Sequence, residues 1–485
     1  MKINQSSLLL IIALIFNACS KDSSSTTSTP SSNSKGRSTT PASPVAQPAV
    51  TNSVTSTGFT ASWAKVAGAA KYLVYVATDN LFQQPLTAYN PVSVTDTSLT
   101  INNLNAATNY YYRVQSSEDG IVSAYSNTVA VTTVAAKQTT WQPAGLQGFS
   151  AGGVVYNTSL ALDNQNTLYI AYQDGGNNGA ATVMMLSGRN WVQVGKPGFS
   201  SASIGPISIA IDKTNNTPYV AYQLYDGYVE VDKFVNNSWT IVNNLYLATA
   251  SQPSIAIDNK GTPYIAVSDY ANSEKASVMK YNGTTWIFVG GQEAFSAETG
   301  LGNVSLALDG SGNPYIAYDS GPHGTTVQEF NGKSWIYLGA SFFNGGDANF
   351  STIAINNNIP YVGFANQDGA QPECSKFSNG YWAEVGSSFI GYDYYPSFTL
   401  DATGTPYLVF QQNTDAYHSV SVMKYGSTGW AALGNTSFSG GYIGATDSYI
   451  VEYPPSIIVD TNGVVYVAYA DDNAGAKATV MKLVQ

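Results

Sequence analysis

The chain has 485 residues, enough for two or three domains with sizeable cores, and carries a formal net charge of −11. Only 11% of its residues are charged, while Gly, Tyr, Asn, Ser and Thr abound; this composition favours strands joined by tight polar turns, and its acidity argues against nucleic acid as a partner. Three arginines, two histidines and two cysteines leave no arginine cluster, histidine-rich metal site or disulfide framework to read.

The N-terminus reads as an address. Lys2 precedes an apolar run from Leu8 to Phe16, followed by Asn17, Ala18 and Cys19. A basic start and a short apolar stretch ending at a small residue describe an export signal too short to span a bilayer. The Ala18-Cys19 junction resembles a bacterial lipoprotein cleavage site. That resemblance implies a signal peptide at 1–18 and a lipid on Cys19, which holds the chain at an outer membrane or cell surface through that lipid alone. Ser20-Lys21-Asp22 is similar to the tag that sends some such lipoproteins to the exterior. Ordinary cleavage, leaving a secreted protein, is the alternative. From Ser23 to Ser43 nearly every residue is Ser, Thr, Pro or Asn, so 19–43 is expected to be a flexible tether.

Residues 44–135 show short alternating runs: Phe59, Ala61, Trp63; Tyr72, Val74, Val76; Leu99, Ile101; Tyr110, Tyr112, Val114; Val129, Val131. Period-two patterning over several strands predicts a β-sandwich. With Trp63 as a core tryptophan and Leu104-x-x-x-Thr108-x-Tyr110 as a tyrosine corner, the segment resembles a fibronectin type III domain. The resemblance implies a corner tyrosine hydroxyl bonded to nearby backbone, and a spacer or binding role.

From residue 138 to 485 one pattern recurs. Tryptophans stand at 141, 191, 239, 286, 335, 382 and 430, about 48 residues apart, the size of a four-stranded propeller blade. Seven motifs of the form Ser159-Leu-Ala-Leu-Asp163 recur with them, the others at 208–212, 254–258, 305–309, 352–356, 397–401 and 456–460. The two series are out of phase: Trp141 has no strands before it, and the last repeat has no tryptophan. The expectation is an all-β chain, a fibronectin type III β-sandwich followed by a seven-bladed β-propeller closed by an N-terminal strand. Phe149, Phe199, Phe295, Phe343, Phe389 and Phe438, seven to nine residues after a tryptophan, are expected to pack between blades.

In such a ring, second-to-third-strand loops and blade-to-blade connections share one face, where their variability suits recognition. That face carries Asp174, Asp226, Asp269, Asp319, Asp368, Asp415 and Asp471, with Tyr225, Tyr270, Tyr394 and Tyr442 among its aromatics. Carboxylates beside tyrosine rings suit a sugar, or a cation such as calcium, the one cofactor this pattern leaves open. The alternative for each Asp is turn formation. The turn before each tryptophan, as in Tyr281-Asn282-Gly283-Thr284-Thr285-Trp286, resembles the Asp-box of sialidase-like propellers, but Tyr281 and Phe330 replace its aspartate. Arg189 alone in the propeller cannot form a three-arginine clamp, which argues against a sialidase. His323 and His418 fall two blades apart, and Cys374 reads as a core thiol. The leading reading is a monomeric, noncatalytic surface protein capturing a glycan or protein; the alternatives are a carbohydrate-active hydrolase or lyase using loop carboxylates, or a structural part of an envelope complex.

Overall fold

The computed structural model describes residues 40–484 apart from 48–52, 136–138, 244, 246–249, 320–322, 347, 367–370, 388–392, 415–416, 428 and 440–453, and omits the side chains of 393–394, 413–414 and 417–418. The expected signal peptide, Cys19 and most of the tether thus lie outside the described residues. Among the described residues every regular element longer than three residues is a strand, and no helix is long and apolar enough to cross a membrane. The chain divides into two units, Met1–Ala136 and Lys137–Gln485.

In the first unit, Ala46–Gln47, Phe59–Trp63 and Ser98–Ile101 form one antiparallel sheet. The second sheet is built on Lys71–Ala77 and Asn109–Glu118. The two share one core, and the alternation in the sequence sets what enters it: Phe59 and Trp63 from one sheet, Tyr72, Val74, Tyr110, Tyr112 and Val114 from the other. Buried tyrosines need a partner for the hydroxyl. Tyr110 accepts the Asn105 N–H at 2.9 Å, and Tyr72 accepts the Val66 N–H at 2.8 Å.

Among the described residues the second unit contains seven four-stranded antiparallel sheets. Six follow chain order from first strand to fourth; in the first of them these are Val155–Leu162, Leu168–Asp174, Ala180–Ser187 and Asn190–Gln193. The seventh takes Ser456–Val459, Val465–Asp471 and Lys477–Val484 from the C-terminal end and its fourth strand, Thr140–Pro143, from the start of the unit, with Trp141 opposite Leu483. First strands pack on one another. Val155–Leu162 touches both Ile204–Asp212 of the second sheet and Ser456–Val459 of the seventh. Second strands are covered on both faces, so Leu168–Asp174 and Pro263–Asp269 are buried at every position.

Two repeated attachments hold neighbouring sheets together. On the inner side, the hydroxyl that opens the motif accepts a backbone N–H from the next sheet in five of the seven: Ser159 from Ile209 at 3.2 Å, Ser208 from Ile255 at 3.2 Å, Ser254 from Leu306 at 3.0 Å, Ser305 from Ile353 at 3.1 Å and Ser456 from Leu160 at 3.1 Å. On the outer side, six of the seven indoles reach back to the sheet before them. Trp141 Nε1 donates to the Leu433 carbonyl at 2.9 Å, Trp239 to Val194 at 2.7 Å, Trp286 to Val242 at 2.6 Å and Trp382 to Leu338 at 2.7 Å. Trp191 Nε1 is buried without such an acceptor.

The recurring phenylalanines stack on these indoles across the sheet boundary. Phe149 lies 4.4 Å from Trp191, Phe199 4.4 Å from Trp239, Phe295 4.0 Å from Trp335, Phe343 4.6 Å from Trp382 and Phe438 4.3 Å from Trp141, all near parallel. Phe389 lies outside the described residues. The glycine ending five of the fourth-strand segments makes room for the indole. At Gly434, with φ 74°, an added Cβ would sit 2.9 Å from Trp141 Nε1. Trp141 therefore carries a stack, a hydrogen bond and the pairing of the first and last segments of the unit at once. Trp141→Ala is expected to destabilise the second unit by about 3 kcal/mol, read as a lowered second-unit transition in scanning calorimetry of the whole chain, with the first-unit transition unmoved.

Candidate functional site

The first strands begin irregularly, and the irregularity shapes a cavity. Their pairing slips between Tyr156 and Thr158, Ile204 and Ile207, Ser251 and Ser254, Asn349 and Thr352, and Tyr394 and Ser397. Proline cannot donate to a ladder and belongs at such bulges; Pro206, Pro253 and Pro396 occupy them. Asn157, Gln252, Phe350 and Tyr395 take left-handed backbone there, with φ 44°, 53°, 59° and 53°. For residues with a side chain this costs on the order of 1–3 kcal/mol each, and bulges of this kind re-aim side chains beside functional sites.

What they re-aim into is a cavity of about 700 Å³ at the head of the first strands. Asn157, Gln252 and Phe350 line it, together with Gln173, Asn303, Tyr225 and hydroxyl-bearing residues of all seven sheets from Ser159 to Ser456. Pro206, Pro253, Pro454 and Pro455 add rigid apolar surface. No Asp, Glu, Lys, Arg or His belongs to this lining among the described residues. Amides and hydroxyls both donate and accept, so the wall offers paired polar groups without a fixed charge. Phe350 meets Tyr395 edge-on at 4.9 Å.

Of the residues singled out in the sequence, Tyr225 reaches this cavity; it is 77% exposed, and the exposed Asp226 follows it. Four carboxylates expected at a ligand are turned inward instead. Asp174 accepts the Gly176 N–H at 3.1 Å, Asn177 Nδ2 at 2.8 Å and the Thr182 hydroxyl at 2.9 Å. Asp269 accepts the Ala271 N–H at 3.1 Å and Asn272 Nδ2 at 2.9 Å. Asp471 accepts the Asn473 N–H at 3.1 Å and the Thr479 hydroxyl at 3.0 Å. Asp319 accepts the Ser351 N–H at 3.0 Å and the Ser351 hydroxyl. All four are at most 3% exposed, which corrects the expectation that they contact a ligand: they brace turns and strand ends.

Tyr270 is partly exposed in the short 3-10 turn Tyr270–Asn272 and does not line the cavity. Asp368, Asp415 and Tyr442 lie outside the described residues, as does the side chain of Tyr394. Among the described residues no group of three or more His, Cys, Asp or Glu is arranged to hold a metal ion, so the calcium expectation finds no donor set there. His323 is exposed, 5.4 Å from the Phe342 ring. Cys374 is buried, and burial pushes its thiol up, away from nucleophilic character. Sequence reasoning missed Asn157, Gln252, Asn303 and Phe350; the signal was the proline beside several motif hydroxyls, which marks an interrupted strand.

No family model matches the chain, and no curated protein matches it. Among solved structures the chain is similar to SapL1 lectin in complex with α-methyl fucoside, with a TM-score of 0.42 and 13% identity, covering 58% of this chain and 97% of that one. It is also similar to a mutant of Aleuria aurantia lectin AAL in complex with Fucα1-6GlcNAc, with a TM-score of 0.40, 12% identity and coverage of 60% and 99%. A mutant of AofleA from Arthrobotrys oligospora gives 0.41, 8%, 62% and 91% for the same quantities. Likenesses this distant bear on neither ligand nor site.

Other acids are also held inside the second unit. The Tyr222 hydroxyl donates to both Asp232 Oδ2 at 2.5 Å and Glu230 Oε2 at 3.0 Å, one proton serving two carboxylates. Burial raises the Asp232 carboxyl to about 6, with the Glu230 charge adding to the rise and the Tyr222 bond opposing it. An acid that binds its proton more tightly when folded loses stability as pH climbs from about 4 to about 6, and the loss persists above. Asp232→Asn is therefore expected to raise stability at neutral pH by about 3 kcal/mol at most and to leave it unchanged below pH ~4, measured by denaturant unfolding across that range.

Proposed function

We propose that this protein is a noncatalytic surface lipoprotein that captures an uncharged glycan in the cavity at the head of the seven first strands. In this reading residues 138–485 are a closed seven-bladed β-propeller; the seventh sheet shared between two chain segments and the two neighbours of the first sheet support it. Residues 44–135 are a fibronectin type III spacer, a reading supported by the shared core around Trp63 and by the Tyr110 bond to Asn105. Cys19 carries the lipid, and 19–43 is the tether that lifts the folded units from an outer membrane or cell surface.

One observation carries the ligand class. A chain with net charge −11 gives its cavity a described lining with no charged side chain, while Asp174, Asp269, Asp319 and Asp471 are engaged by backbone N–H groups and hydroxyls. A charged ligand entering would lose hydration and meet no counter-charge. A neutral sugar would find paired donors and acceptors in Asn157, Gln173, Gln252 and Asn303, and ring faces in Tyr225 and Phe350 against which its apolar face can lie. Glycoside hydrolysis needs two placed carboxylates, and the four inward-turned ones have their oxygens already engaged.

A glycan array probed with the mature full chain, with and without calcium, tests this. Neutral glycans are expected to be retained regardless of calcium, and Gln252→Ala is expected to weaken retention about ten-fold; an empty array, or sugar release abolished by a single loop-carboxylate substitution, would contradict the reading. Cys19→Ser is expected to move the protein from the membrane fraction to the soluble one, and unchanged membrane retention would remove the anchor.

A further inference from the structure

The last residue of the second strand is an aspartate in four sheets: Asp174, Asp269, Asp319 and Asp471, paired with Ala180, Lys275, Thr325 and Lys477. In three of them it caps its own turn, accepting from Gly176, Ala271 and Asn473. Asp319 does something else. It reaches from the fourth sheet to the fifth, where Oδ2 accepts the Ser351 N–H at 3.0 Å and Oδ1 accepts the Ser351 hydroxyl. The Ser351 hydroxyl also lies 2.8 Å from Thr325 Oγ1, and its carbonyl accepts from Asn303 Nδ2 at 2.8 Å. Every polar group of Ser351 is thus held by the fourth sheet. Ser351 is the second residue of the bulge whose first residue, Phe350, lines the cavity with left-handed backbone.

The equivalent positions of other sheets explain why a brace is needed here. Pro253, Pro396 and Pro455 immediately precede the motif hydroxyls of the third, sixth and seventh sheets, Ser254, Ser397 and Ser456, and proline has no N–H to satisfy. Ser351 stands at that place before Thr352. Its buried N–H needs an acceptor, and its freer backbone needs fixing.

We propose that Asp319 is a positioning residue for the cavity, its carboxylate pinning the Phe350–Ser351 bulge and so setting the aromatic wall against which the ligand lies. The inference rests on the glycan-capture reading for its purpose, though not for its geometry. The groups facing Asp319 are Thr325 and Asn303 from the fourth sheet and Ser351 from the fifth, all uncharged; His323 on its own loop is exposed. Burial pushes the Asp319 carboxyl up to about 7, against the hydrogen bonds from Ser351 and Thr325, and no charged group contributes. An ionised carboxylate accepts at both oxygens. The neutral acid carries a proton on one of them and loses part of its grip, so the bulge loosens as pH falls through that value.

The test places 4-fluorophenylalanine at position 350 of the full chain and follows its fluorine resonance without ligand. The resonance is expected to shift with a midpoint near pH 7 in the otherwise unaltered chain, and to become pH-independent and displaced in Asp319→Asn. Adding Ser351→Pro to Asp319→Asn, which installs the residue that precedes the motif hydroxyl in the third, sixth and seventh sheets, is expected to restore the high-pH resonance at every pH. Retention of neutral glycans on the array is expected to fall about ten-fold in Asp319→Asn and to recover in the double variant. A resonance that ignores both pH and the substitution overturns the inference, and the titration of the unaltered chain decides the matter even where Asp319→Asn fails to fold. A resonance that behaves as stated above an empty array upholds the brace and removes the glycan reading.

Discussion

The second unit depends on how the free edge of each first strand is satisfied. A first strand has a hydrogen-bonded partner on one side only, and its other edge points toward the neighbouring sheets, where an unpaired N–H is costly. Pairing two such edges directly would merge the sheets. The motif hydroxyl offers a single acceptor instead: Ser159 takes the Ile209 N–H, Ser208 takes Ile255, and the same link recurs to Ser456, which takes Leu160 of the first sheet. Such a hydrogen bond contributes only about 1 kcal/mol net, but at the five boundaries that carry it, it fixes the height of one sheet against the next. At the far side of the same boundary the indole, its phenylalanine and its glycine do the rest.

The cavity follows from that arrangement. Above these hydroxyls five first strands leave the ladder through bulges, which hold a proline in the second, third and sixth sheets and Asn157 in the first, while in the fifth Ser351 is held by Asp319. Bulging turns amide and aromatic side chains inward that would otherwise alternate out of reach. The acids take a separate path. Three of those at the end of second strands, Asp174, Asp269 and Asp471, are drawn into tight turns by their own backbone donors, and those of the repeated motif do the same, as when Asp163 accepts the N–H groups of Gln165 and Thr167 at 2.8 Å each. An acidic molecule thereby keeps a neutral described lining at its candidate site.

Much of this was legible in the residues. The tryptophan spacing and the recurrent motif marked out the repeating four-stranded units, and the misplaced first tryptophan pointed to the pairing of Thr140–Pro143 with Lys477–Val484. Five of the six phenylalanines read correctly as packing between units, because their offset from tryptophan stayed at eight or nine residues. The carboxylates read less well, since an aspartate in a variable loop looks the same whether it faces solvent or its own turn. The distinguishing signal was local: Asp174 with Asn177 and Asp269 with Asn272 have the spacing of side chains that close a turn. The bulge residues escape notice because the regular part of the motif begins at its hydroxyl. What precedes the hydroxyl varies from sheet to sheet, as a recognition surface does and a packing surface does not.

The most direct measurement is a crystal structure of the full mature chain soaked with a neutral oligosaccharide that it retains. The account predicts sugar density at the head of the first strands, hydrogen-bonded to Gln252 and Asn303 and lying against Phe350 or Tyr225. Sugar bound on the outer flanks between sheets, with the central cavity holding only solvent, would contradict it.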